Sequence, residues 1–216
     1  MVSLLTREHG RHAGLVRGGV GKAARGSLQP GNRLLVTWKA RLEDHLGNLT
    51  WELTGSSGTA WLHDPRRLAG LSAACALAEA ALPERQSHAA VFEGLLAVLG
   101  ALEGDDWPAL YVHWELGLLA ELGYGLDLSC CAATGQADDL AFVSPRSGRA
   151  VSRAAGQPYR DRLLVLPGFL LGAEATPADV AVGLALTGHF LERHVLGPQS
   201  KGMPAARSRL VERLQP

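Results

Sequence analysis

The chain has 216 residues, of which 47% are hydrophobic and 19% are charged, and its formal net charge is zero. This composition is typical of a folded protein and excludes a disordered or fibrous chain. No apolar stretch reaches the roughly 20 residues of a membrane-spanning helix, and the first residues lack the pattern of an export signal. Three cysteines cannot build a disulfide framework, so we expect a cytoplasmic protein in reducing surroundings.

Charge is unevenly distributed along the chain. Residues 1–42 contain eight lysines and arginines and one glutamate, a net charge of +7, whereas residues 65–127 contain three bases and nine acids, a net charge of −6. From residue 128 onward, ten bases and seven acids leave +3. A basic first segment followed by an acidic middle favours a polyanionic partner for the first segment. The alternative is a solvated charged surface without a partner.

The first sixty residues are predicted to form short β-strands. Runs rich in Val, Leu, Thr and Trp alternate with turns that contain glycine. The predicted strands are Val2–Thr6, His12–Arg17, Arg33–Ala40 and Asn48–Thr54, with a flexible glycine-rich loop from Gly18 to Gly31. This series predicts a small antiparallel β-barrel or sandwich.

Helical periodicity begins after this segment. Asp64 and Pro65 form a helix start signal, and Pro83 ends the run. Further helices are predicted to begin near Ser87, at Asp106, at Thr176 (to about Val195) and at Pro204 (to Leu214). Two stripes on these helices are predicted to be core, with a docking groove as the alternative: Leu110, Trp114 and Leu118, and Val180, Leu184 and Leu186.

The sequence does not predict catalysis. It contains no G-x-S-x-G, P-loop, G-x-G-x-x-G or H-E-x-x-H pattern. His189 and His194 flank Glu192, but residues five apart on a helix point roughly 140° apart, so the two rings cannot easily share a metal. We expect exposed or capping histidines there. A hydrolase that uses His189 or His113 lacks a supporting set of residues, and we predict that the chain is not an enzyme.

Residues from about 124 to 160 are predicted to form a small knuckle. Leu140–Val143 and Ala150–Val151 are the strands of a hairpin. A zinc ribbon needs two Cys-x-x-Cys pairs, because four ligands complete the tetrahedron. Cys131 could begin one pair, but Thr134 stands three residues later, and residues 148–155 contain no cysteine. We therefore predict a knuckle held by hydrogen bonds and packing, with no metal and no cofactor.

The basic first segment indicates a binding function. Bases at the turns of a small β-barrel create an electrostatic groove for a phosphate backbone, and nearby aromatic rings can stack on bases. Trp38 and Trp51 lie close to these charges in the sequence. Tryptophan in a short strand is, alternatively, part of the core.

Three stretches resemble the RecO family of recombination mediators in its α-proteobacterial form. They are LVRGG to LQPGN at residues 15–32, WELGLLAELGYGLDL at residues 114–128 and FVSPRSGRAVS at residues 142–152. The resemblance covers essentially the whole chain. It implies an OB-fold over residues 1–60 and an α-helical domain over residues 61–216, with a zinc-ribbon-like knuckle that here lacks zinc ligands. Family members begin with a further strand, so we expect a barrel without its first strand.

The resemblance also implies a function in recombinational DNA repair. It implies binding of single- and double-stranded DNA, annealing of complementary strands, contacts with RecR and single-stranded-DNA-binding protein, and help in loading RecA, in the cytoplasm at the nucleoid. The alternative is a protein-interaction scaffold of the same pathway with weakened or lost DNA binding. Carried onto this sequence, the DNA-contacting residues are Arg7, Arg11, Arg17, Lys22, Arg25, Lys39 and Arg41.

Overall fold

A computed structural model of the chain describes residues 1–18, 21–42, 45–56 and 61–215, with only the backbone of residues 22 and 23. By its internal contacts the chain divides into two compact units. The first contains residues 1–102 and 204–210, and the second contains residues 103–203 and those from 211 onward. The predicted domain boundary at residues 60 and 61 stays a prediction. Among the described residues, no helix is long and apolar enough to cross a membrane.

The first unit begins with a four-stranded sheet. Its strands are β1 (Val2–Thr6), β2 (Gly10–Val16), β3 (Arg33–Lys39) and β4 (Gly47–Gly55). Their order in the sheet is β1-β2-β4-β3. The pairs β1/β2 and β3/β4 are antiparallel, whereas β2 and β4 are parallel. Every second residue of β3 is exposed, as expected for a strand that turns one face to solvent.

This sheet corrects the predicted antiparallel barrel in two respects. Within the described ranges no pairing joins β1 to β3, so no closed barrel is found. The β2/β4 pair is parallel because the chain first crosses from β2 to β3, and the β3/β4 hairpin then returns β4 beside β2 in the same direction. The mixed α+β class, with an N-terminal sheet and a helical region, is confirmed.

A short helix, α1 (Lys22–Ser27), lies where a flexible glycine-rich loop is predicted. Lysine, alanine and arginine are good helix formers, and the side chain of Ala24 is buried. The predicted loop is therefore wrong over these residues. Gly19 and Val20, which belong to the same predicted loop, lie outside the described residues.

Helix α2 (Pro65–Ala81) follows the sheet and starts as predicted. The carboxylate of Asp64 accepts hydrogen bonds from the first free backbone N–H groups of the helix, at 3.0 and 3.1 Å. Leu71 of α2 is fully buried and packs against Gly31, which has a φ of +81°. A Cβ on Gly31 would lie 2.8 Å from a methyl carbon of Leu71, so glycine allows this close packing.

Helix α3 (Ala89–Ala101) begins slightly later than the serine start signal predicts. Its N-cap is His88, which makes no side-chain capping hydrogen bond. The hydroxyl of Ser87 instead donates to the backbone carbonyl of Arg7 at 2.8 Å. A tertiary hydrogen bond to the β1–β2 turn therefore takes the serine that the local pattern assigns to the cap.

The connection between α2 and α3, residues 83–87, docks on the start of β2. The backbone N–H of Arg85 donates to the carbonyl of Arg11 at 2.8 Å. Gly10 has a φ of +67°, and a Cβ there would collide with the backbone carbonyl group of Gln86. The sheet and the two helices are therefore joined at a point where only glycine fits.

The second unit combines helices with a three-stranded sheet. Its helices are α4 (Trp107–Glu121), α5 (Arg153–Gly156) and α6 (Pro177–Phe190), and its strands are β5 (Leu140–Val143), β6 (Ala150–Ser152) and β7 (Leu164–Val165), with 3₁₀ turns at Gln157–Arg162, Gly168–Leu171 and Gly197–Gln199. Helix α7 (Ala205–Leu214) belongs to this unit only from residue 211 onward. The sheet order is β6-β5-β7, and both pairs are antiparallel. The predicted hairpin at residues 140–151 is confirmed.

Helix α6 has the start that the sequence predicts and a different end. Thr176 and Asp179 form a reciprocal capping box, in which each side chain accepts the backbone N–H of the other. The regular helix ends at Phe190 and continues as a π-helical turn at Leu191–Leu196. Such turns are rare and are often found at functional sites.

The two predicted apolar stripes are core rather than an exposed groove, with one exception. Trp114 and Leu118 of α4 are buried, whereas Leu110 is 44% exposed. All members of the second stripe are buried: Val180, Leu184 and Leu186. The core interpretation is therefore correct for five of these residues and wrong for Leu110.

Candidate nucleic-acid interface

Arg7 lies in the turn between β1 and β2, where a hydrogen bond from the Thr6 hydroxyl to the carbonyl of Gly10 (3.0 Å) fixes the backbone. The guanidinium of Arg7 pairs with Glu93 of α3, with 2.6 Å between Nε and Oε1. Its side chain is 62% exposed. An exposed ion pair contributes only about 0–1 kcal/mol, so a phosphate could replace this carboxylate.

Arg11 has several protein contacts, and its predicted contact with DNA stays a prediction. Its side chain is only 18% exposed. Its Nε donates to the backbone carbonyl of Leu82 at 2.9 Å, and its Nη1 donates to the carboxylate of Glu84 at 3.2 Å. Because both partners belong to the end of α2 and the following connection, Arg11 holds the helices to the sheet.

The outward face of the sheet carries the available bases. Asn48 of β4 pairs with Leu15 of β2 on one side and with Lys39 of β3 on the other. Cross-strand partners share a face, and all three residues are exposed. Arg17 directly follows β2, two residues beyond Leu15, and is also exposed. With strands about 4.8 Å apart, the rows of β2 and β3 lie about 10 Å from each other across β4.

Two bases on this face have no partner among the described residues and could bind an anion. In the part of the chain that the structure describes, neither Arg17 nor Lys39 forms an ion pair or a hydrogen bond through its side chain. Arg33, at the opposite end of β3, is exposed, but it pairs with Gly55 across a register shift and its guanidinium lies where a Cβ of Gly55 would point, so it is not assigned to this face. Glu52 is the acid of β4 on this face, opposite Leu35. We call Arg17 and Lys39 together the outward basic face.

The other predicted bases lie beyond the strands. Arg25 on α1 and Arg41 after β3 are exposed, and within the described ranges neither has an acidic partner. The side chain of Lys22 lies outside the described residues. Strand pairing thus places Lys39 and Arg17 on one face of the sheet. Arg25 and Arg41 lie outside the paired strands.

Trp38 is largely occupied by protein contacts. Its ring is half-buried, its Nε1–H donates to the carbonyl of Ala13 at 3.3 Å, and the His12 ring meets it edge-on at 5.3 Å between centroids. The guanidinium of Arg85 lies over the ring at 5.6 Å. Trp51 is likewise half-buried. The alternative that these tryptophans belong to the packing of the sheet is therefore favoured over a stacking platform.

Arg85 is a contributor that the sequence reasoning missed. It has a φ of +60°, which is uncommon for a residue with a side chain. Besides its contact with Trp38, its Nη2 donates to the carbonyl of His45 at 3.1 Å. The turn residues Pro83 to Gln86 mark a helix connection, but only the tertiary structure shows that this connection reaches the sheet.

In the second unit, Cys131 is the centre of the knuckle. Its sulfur is buried, accepts the backbone N–H of Ser152 at 3.2 Å, and as a thiol donates to the Ser152 hydroxyl oxygen at 3.4 Å. Hydrogen bonds from the hydroxyls of Ser152 and Thr134 are the main causes that lower the pKa of this thiol to about 6. The backbone N–H of Cys131 donates to the backbone carbonyl of Gln136, and this hydrogen bond closes the turn. The turn that begins at Cys131 is thus joined to β6 through sulfur.

His189 and His194 are half-buried rather than exposed. The Nε2 of His189 lies 3.4 Å from the carbonyl of Pro145, and the His194 ring stacks between Tyr124 and Phe190. Burial, followed by the charges of Arg193 and His189, lowers the pKa of His194. No group of three or more His, Cys, Asp and Glu residues within the described ranges is arranged to hold a metal ion.

Comparison with protein families gives two matches that together span nearly the whole chain. Residues 1–56 match the family model described as Recombination protein O N terminal. Residues 62–202 match the model described as Recombination protein O C terminal. The second match alone covers more than half of the chain.

Individual relatives agree with these matches. The DNA repair protein RecO of Rhodospirillum rubrum is 57% identical over 224 aligned positions, which cover 100% of this chain and 89% of the relative. Its counterpart in Rhodospirillum centenum is 56% identical and covers 97% of this chain and 85% of the relative. The counterpart in Phenylobacterium zucineum is 53% identical and covers 99% and 89%.

Proposed function

Because the chain belongs to the RecO family of DNA repair proteins, we propose that it is a non-enzymatic recombination mediator that holds single-stranded DNA by its phosphates. The observation that carries this proposal is the outward basic face, where Arg17 and Lys39 are exposed without an acidic partner in the described chain. Cations that are already paired must exchange one partner for another when they bind DNA. Unpaired cations gain an interaction and release bound counterions.

The sheet supports an incomplete OB-fold as the binding domain. It has four short strands, a helix between β2 and β3, and an open edge at both β1 and β3 within the described ranges. OB-folds bind single strands in a positively charged groove that follows the backbone. Arg25 on α1 and Arg41, which follows β3, are exposed and would extend the groove. Lys22 and, through exchange of its carboxylate partner, Arg7 complete the proposed contacts.

Annealing follows from the same charges. Two complementary strands repel each other through their phosphates, and a basic surface lowers this repulsion. The contacts must be weak enough for strands to exchange, which exposed single ion pairs with phosphate allow. No covalent step is required. On this basis we propose strand annealing, binding of double-stranded DNA and help in loading RecA at the nucleoid, with RecR and single-stranded-DNA-binding protein as partners.

A scaffold with weak DNA binding is the second candidate. It is favoured by one observation: Arg7 and Arg11 already pair with Glu93 and Glu84. If these pairs persist and the remaining bases are too few, the protein keeps its partners and loses DNA.

Binding of a labelled single-stranded oligonucleotide, followed by fluorescence anisotropy over a salt series, tests the proposal. We expect affinity to fall steeply with salt. The double variant Arg17→Gln with Lys39→Gln should reduce the slope of log K against log salt by about 1.4, since each lost single-strand phosphate contact accounts for about 0.7. The rate of annealing of complementary oligonucleotides should fall in the same variant.

The matched control is Arg66→Gln with Arg209→Gln, which removes two exposed arginines outside the sheet. It should leave the salt slope unchanged. Equal slopes for the two double variants would reject the outward basic face as the binding surface. Retention of RecR without any DNA binding at low salt would favour the scaffold.

A further inference from the structure

Three aromatic rings of the second unit form a near-parallel stack. The rings of Phe190 and His194 lie 6.0 Å apart between centroids at an angle of 9°, and those of His194 and Tyr124 lie 5.1 Å apart at 17°. Exposure increases along the stack. Phe190 is only 2% exposed, His194 is half-buried, and Tyr124 is 43% exposed. The stack therefore begins in the core and ends at the surface with a phenol ring.

The outer ring is held in place by its own turn. Gly123, with a φ of +87°, reverses the chain after α4, and the backbone N–H of Tyr124 donates to the carbonyl of Leu119 at 2.8 Å. Gly125 packs close to Ala120, where an added Cβ would lie 3.2 Å from the Cα. Tyr124 is thus fixed against the end of a helix, and its position costs little further ordering when a ligand binds.

The inner rings are also fixed. His194 belongs to the π-helical turn Leu191–Leu196, which turns its ring toward Tyr124. His189 meets Phe190 edge-on at 5.1 Å and links the stack to the carbonyl of Pro145. Since burial lowers the pKa of His194, its ring is neutral at pH 7 and behaves as a flat aromatic surface.

Two arginines are sequence neighbours of residues in or next to the stack, and the charge of one of them, Arg193, reaches His194 and contributes to lowering its pKa. Arg193 immediately precedes His194, and Arg146 immediately follows Pro145, whose carbonyl faces His189. Both arginines are exposed, and neither has an acidic partner among the described residues. An exposed ring with arginines on neighbouring segments has the groups used in single-stranded nucleic-acid recognition, in which a base stacks and the adjoining phosphates pair with arginine.

We propose that Tyr124 is a base-stacking platform for single-stranded DNA, at which a nucleobase extends the ring stack by one member. This inference rests on the proposed function and adds to it a second contact, in a different unit from the outward basic face. The two contacts differ in kind. The face binds phosphates without regard to bases, whereas the platform requires a base and is largely insensitive to salt.

The test compares two oligonucleotides of equal length and charge: oligothymidylate and its abasic analogue. At a salt concentration that weakens phosphate contacts, the wild type should bind oligothymidylate more tightly. Tyr124→Leu should lower the affinity for oligothymidylate roughly tenfold, as expected for loss of one stacked base. It should leave the affinity for the abasic analogue and the salt slope unchanged. Tyr124→Trp should retain binding, and its fluorescence should be quenched by oligothymidylate.

Tyr159→Leu is the matched control, because Tyr159 is 60% exposed and has no ring partner among the described residues. It should not change the preference for bases. The preference also reports on any unfolding of Tyr124→Leu, which would weaken both ligands equally. The same affinity of the wild type for both oligonucleotides, or an equal loss for both with a Tyr124→Leu variant whose melting temperature matches the wild type, overturns the platform and leaves the proposed function standing. Binding of neither oligonucleotide at any salt concentration overturns the proposed function itself.

Discussion

The sheet of the first unit and the knuckle of the second both carry arginines on their surfaces, but Arg17 differs from Arg149 and Arg153 in whether the described residues include an acidic partner. Arg149 and Arg153 of the knuckle each contact an aspartate, Asp127 at 3.3 Å and Asp139 at 3.1 Å. Arg17 has no such partner within the described ranges. A count of charge along the sequence does not distinguish these two cases, because the partner of a base can lie far from it in the chain.

The aromatic residues show the opposite distribution. In the first unit the ring of Trp38 is covered by Arg85 and His12. In the second unit the ring of Tyr124 ends a stack and is 43% exposed. The two regions therefore offer different interactions to a nucleic acid: charge from the sheet and stacking from the second unit.

The largest effect is expected where the sheet meets the α2–α3 connection. Gly10→Ala introduces a Cβ that collides with the backbone of Gln86 and forces alanine into a left-handed conformation. Because that conformation alone costs about 1–2 kcal/mol, we expect the free energy of unfolding to fall by about 3 kcal/mol or more. Urea denaturation measures it.

Gly18→Ala is the control for this substitution. Gly18 also has a positive φ, +69°, but nothing lies within 4 Å of the added Cβ. Its cost should stay at about 1–2 kcal/mol. If both variants lose the same stability, the contact with Gln86 does not hold the sheet in place.

A smaller loss of stability should distinguish Arg11 from Arg17, although both count equally toward the charge of the first segment. Arg11→Gln removes the hydrogen bonds to Leu82 and Glu84, and we expect the free energy of unfolding to fall by about 2 kcal/mol. Arg17→Gln should change it by less than about 0.5 kcal/mol, since its side chain is exposed. Urea denaturation and anisotropy on the same preparations compare stability with DNA affinity. A stable Arg11→Gln variant with lost DNA affinity would instead make Arg11 a DNA contact.

These results show which features the sequence can predict. The bounds Val2–Thr6 agree with the structure, because alternation and flanking turns are local signals. The parallel β2/β4 pair and the open edges depend on contacts between distant residues, so no local pattern contains them. For the same reason Ser87 is assigned to a cap it does not form. Periodicity alone predicts strands first and helices after, whereas the DNA-repair function depends on the family resemblance.

The candidate site was predictable as a segment but not as a surface. The excess of bases in residues 1–42 locates it, yet the structure divides these bases into paired and unpaired ones. Tyr124 was within reach of the sequence: it stands between Gly123 and Gly125, which mark a tight turn that exposes the residue between them. The sequence does not predict that Tyr124 stacks on His194, since seventy positions separate the two residues.

The contribution of the knuckle to the stability of the fold should depend on pH through the thiol of Cys131. The pKa of Cys131 in the folded protein is about 6, below its ordinary value of 9.0. Between these values the unfolded state binds more protons, so this group contributes stability that rises from pH 6 to pH 9 and is lost as the pH falls toward 6. The difference in melting temperature between the wild type and Cys131→Ala should therefore be larger at pH 8 than at pH 6.

Cys75→Ala provides the control for the pH dependence. Burial raises the pKa of Cys75 to about 11, so this thiol is protonated in both states at pH 6 to 8. Its contribution to stability should not change over that range. A melting difference for Cys131→Ala that is constant with pH would mean that the sulfur accepts no stronger hydrogen bonds as a thiolate.

The smallest effects are expected from the paired arginines of the knuckle, which we compare with Arg17 of the sheet. Arg149→Gln and Arg153→Gln each break one exposed ion pair, which contributes about 0–1 kcal/mol. Each also leaves an aspartate unpaired, so any phosphate near it is repelled rather than attracted. We expect single-strand affinity to change less than about twofold, against a clear loss for Arg17→Gln. A loss as large as that of Arg17→Gln would mean that DNA displaces Asp127 or Asp139, and that ion pairing in the free protein does not predict which bases bind.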